Sequence, residues 1–459
     1  MKNQIPNKVL DVYEQLEKAG FQAFFVGGCV RDILMNRTTH DWDLTTDATP
    51  EDIQKIFSNS FYDNRFGTVG VIINEEIYDL EKKYVEVTTF RTESQYENAR
   101  HPEQVSWGKS IEEDLSRRDF TMNAIALRFT KKALQEEFID PYGGKTDIEN
   151  GIVRTVGNPD ARFSEDALRV LRAIRFATTL DFKIEDKTWE GIINNNSGIE
   201  KISGERIRDE LLKILVSDQA YNGIVLLDLA GILDIIFPEL AKGKGVSQVR
   251  PGRHHKTDVF THNIESLKHA PTKNPLVKLA ALLHDVGKPY VARPDAEGHV
   301  TFYNHEVKGA QVIENIAERL KLSKKDKEKI ITLIRWHMFT VDEFLTDAAI
   351  RRFIRRIGLE NVTDMMDLRI GDRLGGGTQV AESWRLKKFK ERIAEQLNPP
   401  FAISDLAIDG NDIMQELKIT PGRKIGQILQ KLFEEVDEDM NLNTREYLIK
   451  RVHEIESEN

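Results

Sequence analysis

The stretch GGCVRDILMNRTTHDWD, residues 27–43, decides the fold of the front of this chain. Before it, FQAFFVG predicts a strand that ends at Gly27 and Gly28, and CVRDILM predicts the start of a helix. The backbone amides of such a turn and the helix N-terminus form an anion site, to which Arg31 adds a positive charge. The stretch therefore predicts a phosphate-binding turn.

A pair of carboxylates follows this turn. Asp41 and Asp43 flank Trp42 on the predicted strand HDWDLTT, and residues i and i+2 of a strand project to the same face. Two acids held together repel each other unless a cation lies between them, and Mg²⁺ prefers such oxygen ligands. Glu86, in the predicted strand YVEVTTF, is the candidate third carboxylate. Three acids on adjacent strands can hold two metal ions for an in-line displacement at phosphorus.

The pattern changes about a third of the way along the chain. Helical and strand patterns alternate at first, but from about Asp160 onward apolar residues recur at helical spacing. Two stretches, AKGKGVSQVRPGRHHKTD and GDRLGGGTQV, interrupt the helical pattern. We therefore expect an α+β protein, with a small mixed α/β domain at residues 1–150 and mostly α-helical segments at 151–245, 246–375 and 376–459.

Composition narrows the class of protein. The chain has 459 residues, 40% of them hydrophobic and 31% charged, and a formal net charge of −10. An acidic chain is not coated in phosphate-neutralising charge, but a local basic groove remains compatible with it. The start is polar and no apolar run is long enough for a membrane span, so neither export nor a membrane partner is expected. The single cysteine, Cys29, fits a reducing, cytoplasmic setting.

Three further motifs extend the pattern of the opening stretch: EEDLSRRDFTMNAIA (112–126), SEDALRVLRAIRF (164–176) and ISGERIRDELLKIL (202–215). With GGCVRD and DWD they resemble, in order and spacing, the bacterial class II tRNA nucleotidyltransferases (CCA-adding enzymes) and their poly(A) polymerase relatives. The resemblance covers roughly the first 215 residues. It implies a nucleotidyltransferase head at 1–150 and a helical neck at 151–245 that selects the nucleotide and binds RNA.

The motif at 164–176 offers a way to choose the base. Its predicted helix places Asp166, Arg169, Arg172 and Arg175 about one turn apart. Cytosine and adenine present an amino donor beside a ring-nitrogen acceptor, whereas uracil and guanine present a carbonyl beside an N–H. Asp166 can accept from the amino group while Arg169 donates to the ring nitrogen, and the wrong bases leave both unpaired. The resemblance implies these roles, with Arg172 and Arg175 assisting; the alternative is a solvated charged face.

For the motif at 112–126 and the segment before it, the residues alone leave more than one role open. Asp119 or Thr121 could simply cap a following helix. The resemblance implies that Arg118 contacts the nucleotide and that Asp119 or Asn123 senses the ribose. It also implies that the polar loop at 90–110 is flexible and serves addition of the terminal A, the alternative being a surface insertion.

A helical block from Val259 to about Arg373 carries imidazoles and carboxylates, which suit a transition metal or a mixed divalent site. Their order resembles the HD phosphohydrolase domain. A second divalent metal there would activate water against a phosphoester, and some members remove phosphates or open 2′,3′-cyclic phosphates. The alternative is an HD fold that keeps its shape without metal. The candidate ligands are His262, His284, Asp285, His305, His337 and Asp372.

Basic clusters appear late, in IRRFIRRIG (350–358), RLKKFKER (385–392) and ITPGRKIGQIL (419–429). The first two are equally compatible with solvated helix faces. In the third, Gly422 and Gly426 allow close backbone approach, and Arg423 and Lys424 supply charge for an RNA phosphate. We expect the helical tail to bind RNA, mostly by shape.

Taken together, the sequence predicts a Mg²⁺-dependent enzyme that adds C, C and A to tRNA 3′ ends from CTP and ATP. Three alternatives stay open. The same head could add only A or make poly(A); a head and HD domain could make and destroy a signalling nucleotide; or an inactive head could serve as an RNA-binding module.

Overall fold

The structure is a computed structural model. It forms two compact units: the first is Met1–Lys242 with Asn315–Leu322, and the second is Gly243–Glu314 with Ser323–Asn459. The division at Lys242 falls close to one predicted break, while the four-domain bounds stay a prediction. The residues described are 4–39, 41–63, 67–73, 83–90, 108, 110–129, 136–249, 257–342, 344–396 and 402–457.

The first unit begins with the predicted mixed α/β head. Its elements are α1 (Asn7–Lys18), β1 (Ala23–Val26), α2 (Gly28–Leu34), β2 (Asp43–Thr46), α3 (Pro50–Ile56), β3 (Ser60–Asp63), β4 (Thr68–Ile72), β5 (Tyr84–Thr89), α4 (Ile111–Ser116), β6 (Ala126–Phe129), β7 (Glu136–Ile139) and α5 (Gly144–Asn150). Among the described residues, the strands form one sheet in the order β3-β4-β5-β2-β1-β6-β7. β2 pairs in parallel with β5, and the other pairings of this sheet are antiparallel.

The sheet is covered on both faces, which explains why β1 is apolar throughout. Phe25 lies in a core with residues of α1 and α3, whereas Phe24 and Val26 lie in a second core with Leu115 of α4. Successive residues of a strand point to opposite faces, so a central strand covered on both sides buries every side chain. β1 is thereby fixed, and the turn that follows it is held in place.

Helices make up most of the rest of the first unit, as predicted. They and two short strands are β8 (Ile152–Val153), α6 (Pro159–Glu165), α7 (Leu168–Leu180), β9 (Lys183–Ile184), α8 (Asp186–Asn194), α9 (Gly204–Leu215), α10 (Ala220–Leu229), α11 (Leu233–Ile236) and α12 (Pro238–Ala241). One prediction was wrong: the motif at 164–176 is not a single helix. Asp166 is extended, with φ −145° and ψ 103°, and its Oδ1 accepts a hydrogen bond from the amide of Leu168 at 3.0 Å. Asp166 therefore ends α6 and caps α7, because its short carboxylate satisfies an amide that a new helix leaves unpaired.

The second unit carries the metal-ligand candidates and the tail. Its elements are α13 (Val259–His269), α14 (Pro275–Leu283), α15 (Lys288–Val291), β10 (Arg293–Pro294), β11 (Val300–Thr301), α16 (His305–Arg319), α17 (Lys324–Trp336), α18 (Asp347–Ile357), α19 (Val362–Gly375), α20 (Trp384–Gln396), α21 (Gly410–Leu417), α22 (Arg423–Glu438) and α23 (Arg445–Ser457). The last residues of α16 belong to the first unit. α19 ends at Gly375, within the glycine run that predicted a break. In the part of the chain that the structure describes, no helix is both long and apolar enough to cross a membrane.

Candidate active site and candidate metal centre

The glycine turn lies against a carboxylate and a guanidinium. Gly27 has φ +76° and ψ −136°, a conformation that L side chains rarely adopt. A Cβ at this position would lie 3.1 Å from Nη1 of Arg118 and 3.5 Å from Oδ2 of Asp43. Glycine is thus required by the backbone angle, and its missing side chain leaves room for both groups. The positions that the sequence assigned to phosphate, metal and nucleotide contact meet at this turn.

The three head carboxylates are arranged by the parallel pairing of β2 and β5. Asp43 is the first residue of β2, and Glu86 is its register partner on β5. Trp42 is buried, whereas Asp41 is exposed and Asp43 half-buried, so the alternation expected of a strand is present. However, Asp41 precedes β2 rather than lying in it. Among the described residues, the groups of three ligands whose atoms lie within 4.8 Å of one another do not include these acids, so a site built from all three stays a prediction.

Arg31 is held in place beneath the turn. It is 9% exposed, and its Nη1 donates to Oδ1 of Asn123 at 2.9 Å. Its Nε and Nη2 donate to Oδ1 of Asp32 at 3.0 and 2.8 Å. A buried guanidinium is tolerated when most of its donors are paired, and these contacts use three of the five. Arg31 is therefore pre-positioned beside the glycine turn.

Asp119 links this arrangement to α7. Its Oδ1 accepts from the Asn123 side chain at 3.2 Å, and its Oδ2 accepts from Nε of Arg172 at 2.8 Å. Burial opposes ionisation of Asp119, but the charge of Arg172 and the hydrogen bonds from Arg172 and Asn123 together outweigh it and lower the pKa to about 2. A continuous path of hydrogen bonds thus runs from Arg31 through Asn123 and Asp119 to Arg172. Where the alternative interpretation had Asp119 or Thr121 capping a following helix, the structure has a single 3₁₀ turn, Thr121–Asn123.

Asp166 and Arg169, the predicted base-reading pair, are each held by a different neighbour. Oδ2 of Asp166 accepts from Nη2 of Arg206 at 2.7 Å. Nη1 of Arg169 donates to Oε2 of Glu165 at 2.5 Å, and its Nη2 donates to the carbonyl of Arg117 at 3.2 Å. The last contact places Arg169 next to the residue that precedes Arg118. The two side chains are fixed independently and not by an ion pair with each other.

The other arginines of α7 also have acidic partners. Nε of Arg175 donates to Oε2 of Glu210 at 2.5 Å, and the Arg175 guanidinium lies 3.7 Å from the ring centroid of Phe176. Burial lowers the pKa of Arg175. Nη1 of Arg172 lies 4.0 Å from Oε1 of the same Glu210. The motif itself contains few acids, but the fold brings Asp119 and Glu210 to its arginines, so positive charge does not accumulate there uncompensated.

In the second unit, all six predicted ligands come together. Nε2 of His262 lies 3.2 Å from Nε2 of His284, 3.4 Å from Oδ2 of Asp285 and 3.2 Å from Oδ1 of Asp372. On the other side, Nε2 of His305 lies 3.2 Å from Oδ1 of Asp285 and 3.3 Å from Nε2 of His337. The two oxygens of Asp285 therefore face two different sets of histidines.

The histidine rings are oriented as metal ligands are. Nδ1 of His284 lies 2.9 Å from the carbonyl of Ala281, and Nδ1 of His305 and of His337 lies 2.8 and 2.7 Å from the carbonyl three residues before it. A carbonyl only accepts, so each of these three Nδ1 atoms carries a proton, and each ring in its neutral form presents an unprotonated Nε2 to the centre. Two such nitrogens about 3.3 Å apart repel each other unless a cation lies between them.

The carboxylates at the centre also favour a bound cation. Burial opposes a positive charge on His284, but Asp285 and Asp372 together outweigh it and raise the pKa of the imidazole to about 10, so without a metal the ring holds a second proton, which a bound metal ion would displace. Oδ1 of Asp285 is buried and accepts no hydrogen bond within the described part of the chain. Negative potential and an unsatisfied oxygen are what a bound metal ion would relieve. The donor set of imidazole and carboxylate fits a transition metal ion.

Glycines allow the helices to meet at this centre. A Cβ on Gly287, two residues after Asp285, would lie 2.0 Å from the carbonyl oxygen of His305. A Cβ on Gly375 of α19 would lie 2.4 Å from Oγ of Ser266 on α13. No side chain fits at such distances, so the close approach of the helices depends on glycine at both positions. The first contact sets His305, and the second brings Asp372 towards His262.

Three family models match the chain. "Poly A polymerase head domain" matches residues 23–154, "Probable RNA and SrmB- binding site of polymerase A" matches 181–244, and "HD domain" matches 261–366. A curated CCA-adding enzyme of Limosilactobacillus reuteri is 32% identical over 452 residues, which cover 97% of this chain and 96% of that enzyme. The chain belongs to the CCA-adding enzyme family.

Two other members of the family's wider group are informative. An A-adding tRNA nucleotidyltransferase of Deinococcus radiodurans is 36% identical over 71% of this chain and 75% of that enzyme. The crystal structure of the Bacillus stearothermophilus CCA-adding enzyme in complex with CTP superposes with a TM-score of 0.67 at 26% identity, covering 99% of both chains. The predicted α+β fold, with a mixed sheet in the head and helices beyond, is confirmed.

Several residues of this CCA-adding family member escaped sequence reasoning. Asp114 is fully buried and pairs with Arg117 and Arg118, and Arg206 and Glu210 hold Asp166 and Arg175. The signal for Asp114 was its spacing of three and four residues before the two arginines on a helix. Arg206 and Glu210 are likewise four apart in the motif at 202–215, but their partners lie on another helix, which spacing cannot show.

Three predictions concern other segments of the chain. Arg423 begins α22 and is exposed, and Nζ of Lys424 lies 2.6 Å from Oε1 of Glu456. A Cβ at Gly426 would meet nothing within 4 Å, which leaves this face of α22 open. The loop predicted at 90–110 lies almost wholly outside the described residues. In the basic cluster at 350–358, Arg351 and Arg355 pair with the buried Asp437, so only part of that cluster faces solvent.

Proposed function

We propose that this chain adds C, C and A to the 3′ end of tRNA, using CTP and ATP, in a Mg²⁺-dependent reaction that needs no nucleic-acid template. Membership of the CCA-adding family supports the activity. One observation links this activity to specific residues: Nη1 of Arg118 and Oδ2 of Asp43 both lie within about 3.5 Å of the point where a Cβ on Gly27 would stand. A tRNA substrate and a single reduced cysteine also fit a cytoplasmic location.

The reaction we propose is an in-line displacement. The tRNA 3′-hydroxyl attacks the α-phosphorus of the nucleotide, the bond to the β-phosphate oxygen breaks, and pyrophosphate leaves. Asp41 and Asp43 would hold Mg²⁺, with Glu86 as a helper on the neighbouring strand. Bound Mg²⁺ would supply positive charge for the attacking hydroxyl and the leaving group. Gly28, Arg31 and Arg118 bind the triphosphate, since they present backbone amides and guanidinium groups at one turn.

Base selection would rest on Asp166 and Arg169. Each keeps spare capacity among the described residues: Asp166 has one contact on each oxygen, and Arg169 uses three of its five donors, on Glu165, Arg162 and Arg117. An amino group of C or A can donate to Asp166 while Arg169 donates to the ring nitrogen. U or G would place a carbonyl against the carboxylate and an N–H against the guanidinium, which is penalised. Arg172 and Arg175 would keep α7 aligned through Asp119 and Glu210.

The test is product sequencing after incubation of tRNA lacking its CCA end with CTP alone, ATP alone and all four nucleotides. We expect two C residues with CTP alone, followed by A when ATP is added. A chain that adds only A, like the Deinococcus relative by its name, would add nothing to that substrate with CTP alone. Poly(A) synthesis would instead give long A tails.

Variants connect the activity to the residues. Asp43→Asn should abolish addition of both nucleotides, whereas Asp166→Ala should retain transfer but admit U and G, with discrimination reduced by at least about tenfold. Asp234→Asn, an exposed position on α11, is the control. Unchanged selectivity in Asp166→Ala would remove this residue from base reading.

We further propose that the second unit is a metal-dependent phosphohydrolase. The observation that favours it is the inward-facing set of Nε2 atoms around Asp285. A bound metal would activate water against a phosphomonoester or a 2′,3′-cyclic phosphate. Hydrolysis of p-nitrophenyl phosphate and of a 2′,3′-cyclic nucleotide, with metal content measured in parallel, tests it. His284→Ala should lose metal and hydrolysis but keep CCA addition. Asp43→Asn should lose CCA addition but keep metal in the second unit and hydrolysis.

For the tail we propose a contact between Arg423, Lys424 and tRNA phosphates. Replacing both by Ala should weaken binding of every tRNA by a similar factor and reduce the salt dependence of binding. An effect on one tRNA species only would contradict a phosphate contact.

A further inference from the structure

Three cavities of the second unit meet at Met338. The first has a volume of about 280 Å³ and is lined by the candidate ligands Asp285, His305, His337 and Asp372. The second and third have volumes of about 540 and 460 Å³. Met338 lines all three, directly follows His337 and is 57% exposed. The candidate metal centre is therefore continuous with a larger open groove.

The second cavity is strongly basic. Arg369, Arg373 and Arg385 line it, and its lining contains no acidic residue. Arg369 pairs with Asp372 at 3.2 Å, but within the described ranges Arg373 and Arg385 pair with no carboxylate. On a chain with a net charge of −10, such a group of uncompensated cations favours an anionic ligand.

The same cavity also offers an aromatic surface. Trp384 is 56% exposed, although tryptophan is usually covered, and the guanidinium of Arg385 lies 5.4 Å from its ring. Phe339 lines the same cavity, with the guanidinium carbon of Arg369 5.5 Å from its ring centroid. In the third cavity, Trp336 lies between Arg335 and Arg356, at 4.5 and 5.2 Å from their guanidinium carbons. Trp384 is exposed and the other two rings are partly buried, and aromatic rings interleaved with arginines are the combination that binds single-stranded nucleic acid.

We propose that this surface, the arginine groove (Phe339, Arg369, Arg373, Trp384 and Arg385), binds the 3′ end of a single-stranded RNA. A base stacks on Trp384, and backbone phosphates contact Arg373 and Arg385. The terminal phosphate then passes Met338 towards Asp285 and the histidines. What happens to that phosphate rests on the proposed hydrolase function, whereas the binding does not. A free nucleotide shares the chemistry of base and phosphate, but it spans only part of the groove.

Crosslinking tests the proposal on the full-length protein. A six-nucleotide RNA with a 3′-terminal phosphate and 5-iodouridine near that end is irradiated with the protein, and the modified peptides are identified by mass spectrometry. We expect crosslinks at Trp384 or Phe339, and competition by unlabelled RNA at concentrations where the mononucleotide competes poorly. Crosslinks confined to residues outside the groove would overturn the proposal, and equal competition by the mononucleotide would make a free nucleotide the ligand.

Variants separate binding from hydrolysis. Arg373→Ala with Arg385→Ala should weaken binding of the oligonucleotide about tenfold, measured by fluorescence anisotropy. Lys324→Ala with Lys325→Ala, exposed positions at the far end of α17, removes the same charge outside the groove and should leave binding unchanged. If hydrolysis occurs, the groove variant should raise KM for the RNA 3′-phosphate and leave p-nitrophenyl phosphate unaffected. Absence of all hydrolysis with intact crosslinking would reject the hydrolase proposal alone, and equal weakening by both variants would reject the groove.

Discussion

Asp119 has its charge stabilised by one neighbour in sequence and by one residue that is remote in sequence. Arg172, 53 positions later, donates to one of its oxygens, and Asn123 donates to the other. The sequence indicated both an interaction with ribose and a helix cap for this residue. The structure gives it a third role, as the link between the glycine turn and α7.

We expect Asp119→Asn to lower the free energy of unfolding of the first unit by about 2 kcal/mol at pH 7. The pKa of Asp119 is lowered to about 2 in the folded protein, so its contribution is present above the unfolded pKa of about 4. It is lost as the pH falls through about 2. Urea unfolding of the variant and the parent at several pH values measures this, and the difference should narrow below pH 4. A gap that stays constant down to pH 2 would contradict the assignment.

Cys29 is a second case in which surroundings set reactivity. It is fully buried at the start of α2, and burial together with the nearby Asp43 raises its pKa to about 12. Because the thiolate is the reactive form, the native protein should react with a thiol reagent at most very slowly at pH 8. Titration with Ellman's reagent should find one thiol only after unfolding. Rapid reaction of the folded protein would show that α2 opens locally.

At the level of elements, glycines decide which helices can approach. We expect Gly287→Ala to destabilise the second unit and reduce its metal content, because the new methyl group would overlap the carbonyl of His305. Gly426→Ala is the matched control, since nothing lies within 4 Å of that position and alanine stabilises a helix interior by about 1 kcal/mol. Thermal unfolding and metal analysis of both variants measure the effect. Similar behaviour of the two would mean that the close contact at Gly287 is not needed.

Elements were predictable where the pattern is local. Thr49 followed by Pro50 is a pattern typical of a helix start, and α3 does begin at Pro50, with Thr49 accepting a hydrogen bond from the amide of Asp52. The break at Asp166 was missed because apolar spacing continues across it, and only the later pairing with Arg206 shows why the chain turns there. The same distinction between local pattern and remote partner applies to the site residues. The motifs located the ligand candidates, but the partners that hold them, such as Glu210, come from helices whose packing no spacing specifies.

At the scale of the whole molecule, the two candidate sites lie in different compact units. Glu86 and Arg172 belong to the first, and His262 and Asp372 to the second. Each ligand should therefore stabilise its own unit, by about 2.7 kcal/mol at a concentration of one hundred times Kd.

Hydrogen exchange read by mass spectrometry can assign the effect. We expect CTP with Mg²⁺ to protect peptides of α2 and α7, and a transition metal ion to protect peptides of α13 and α19. Asp43→Asn should remove the first response and His284→Ala the second. Protection of the wrong unit by either ligand would contradict the assignment of the sites.

The carbonyl contacts of His284, His305 and His337 have a consequence for metal choice. Each imidazole is hydrogen-bonded to the carbonyl three residues before it without any metal ion, so the rings have little freedom to rotate when an ion binds. A site whose ligands are held this rigidly would select metal ions by radius and preferred geometry, and would bind weakly those ions that require the ligands to move. Selectivity for the metal ion would then be set by the fold of the chain before the metal binds.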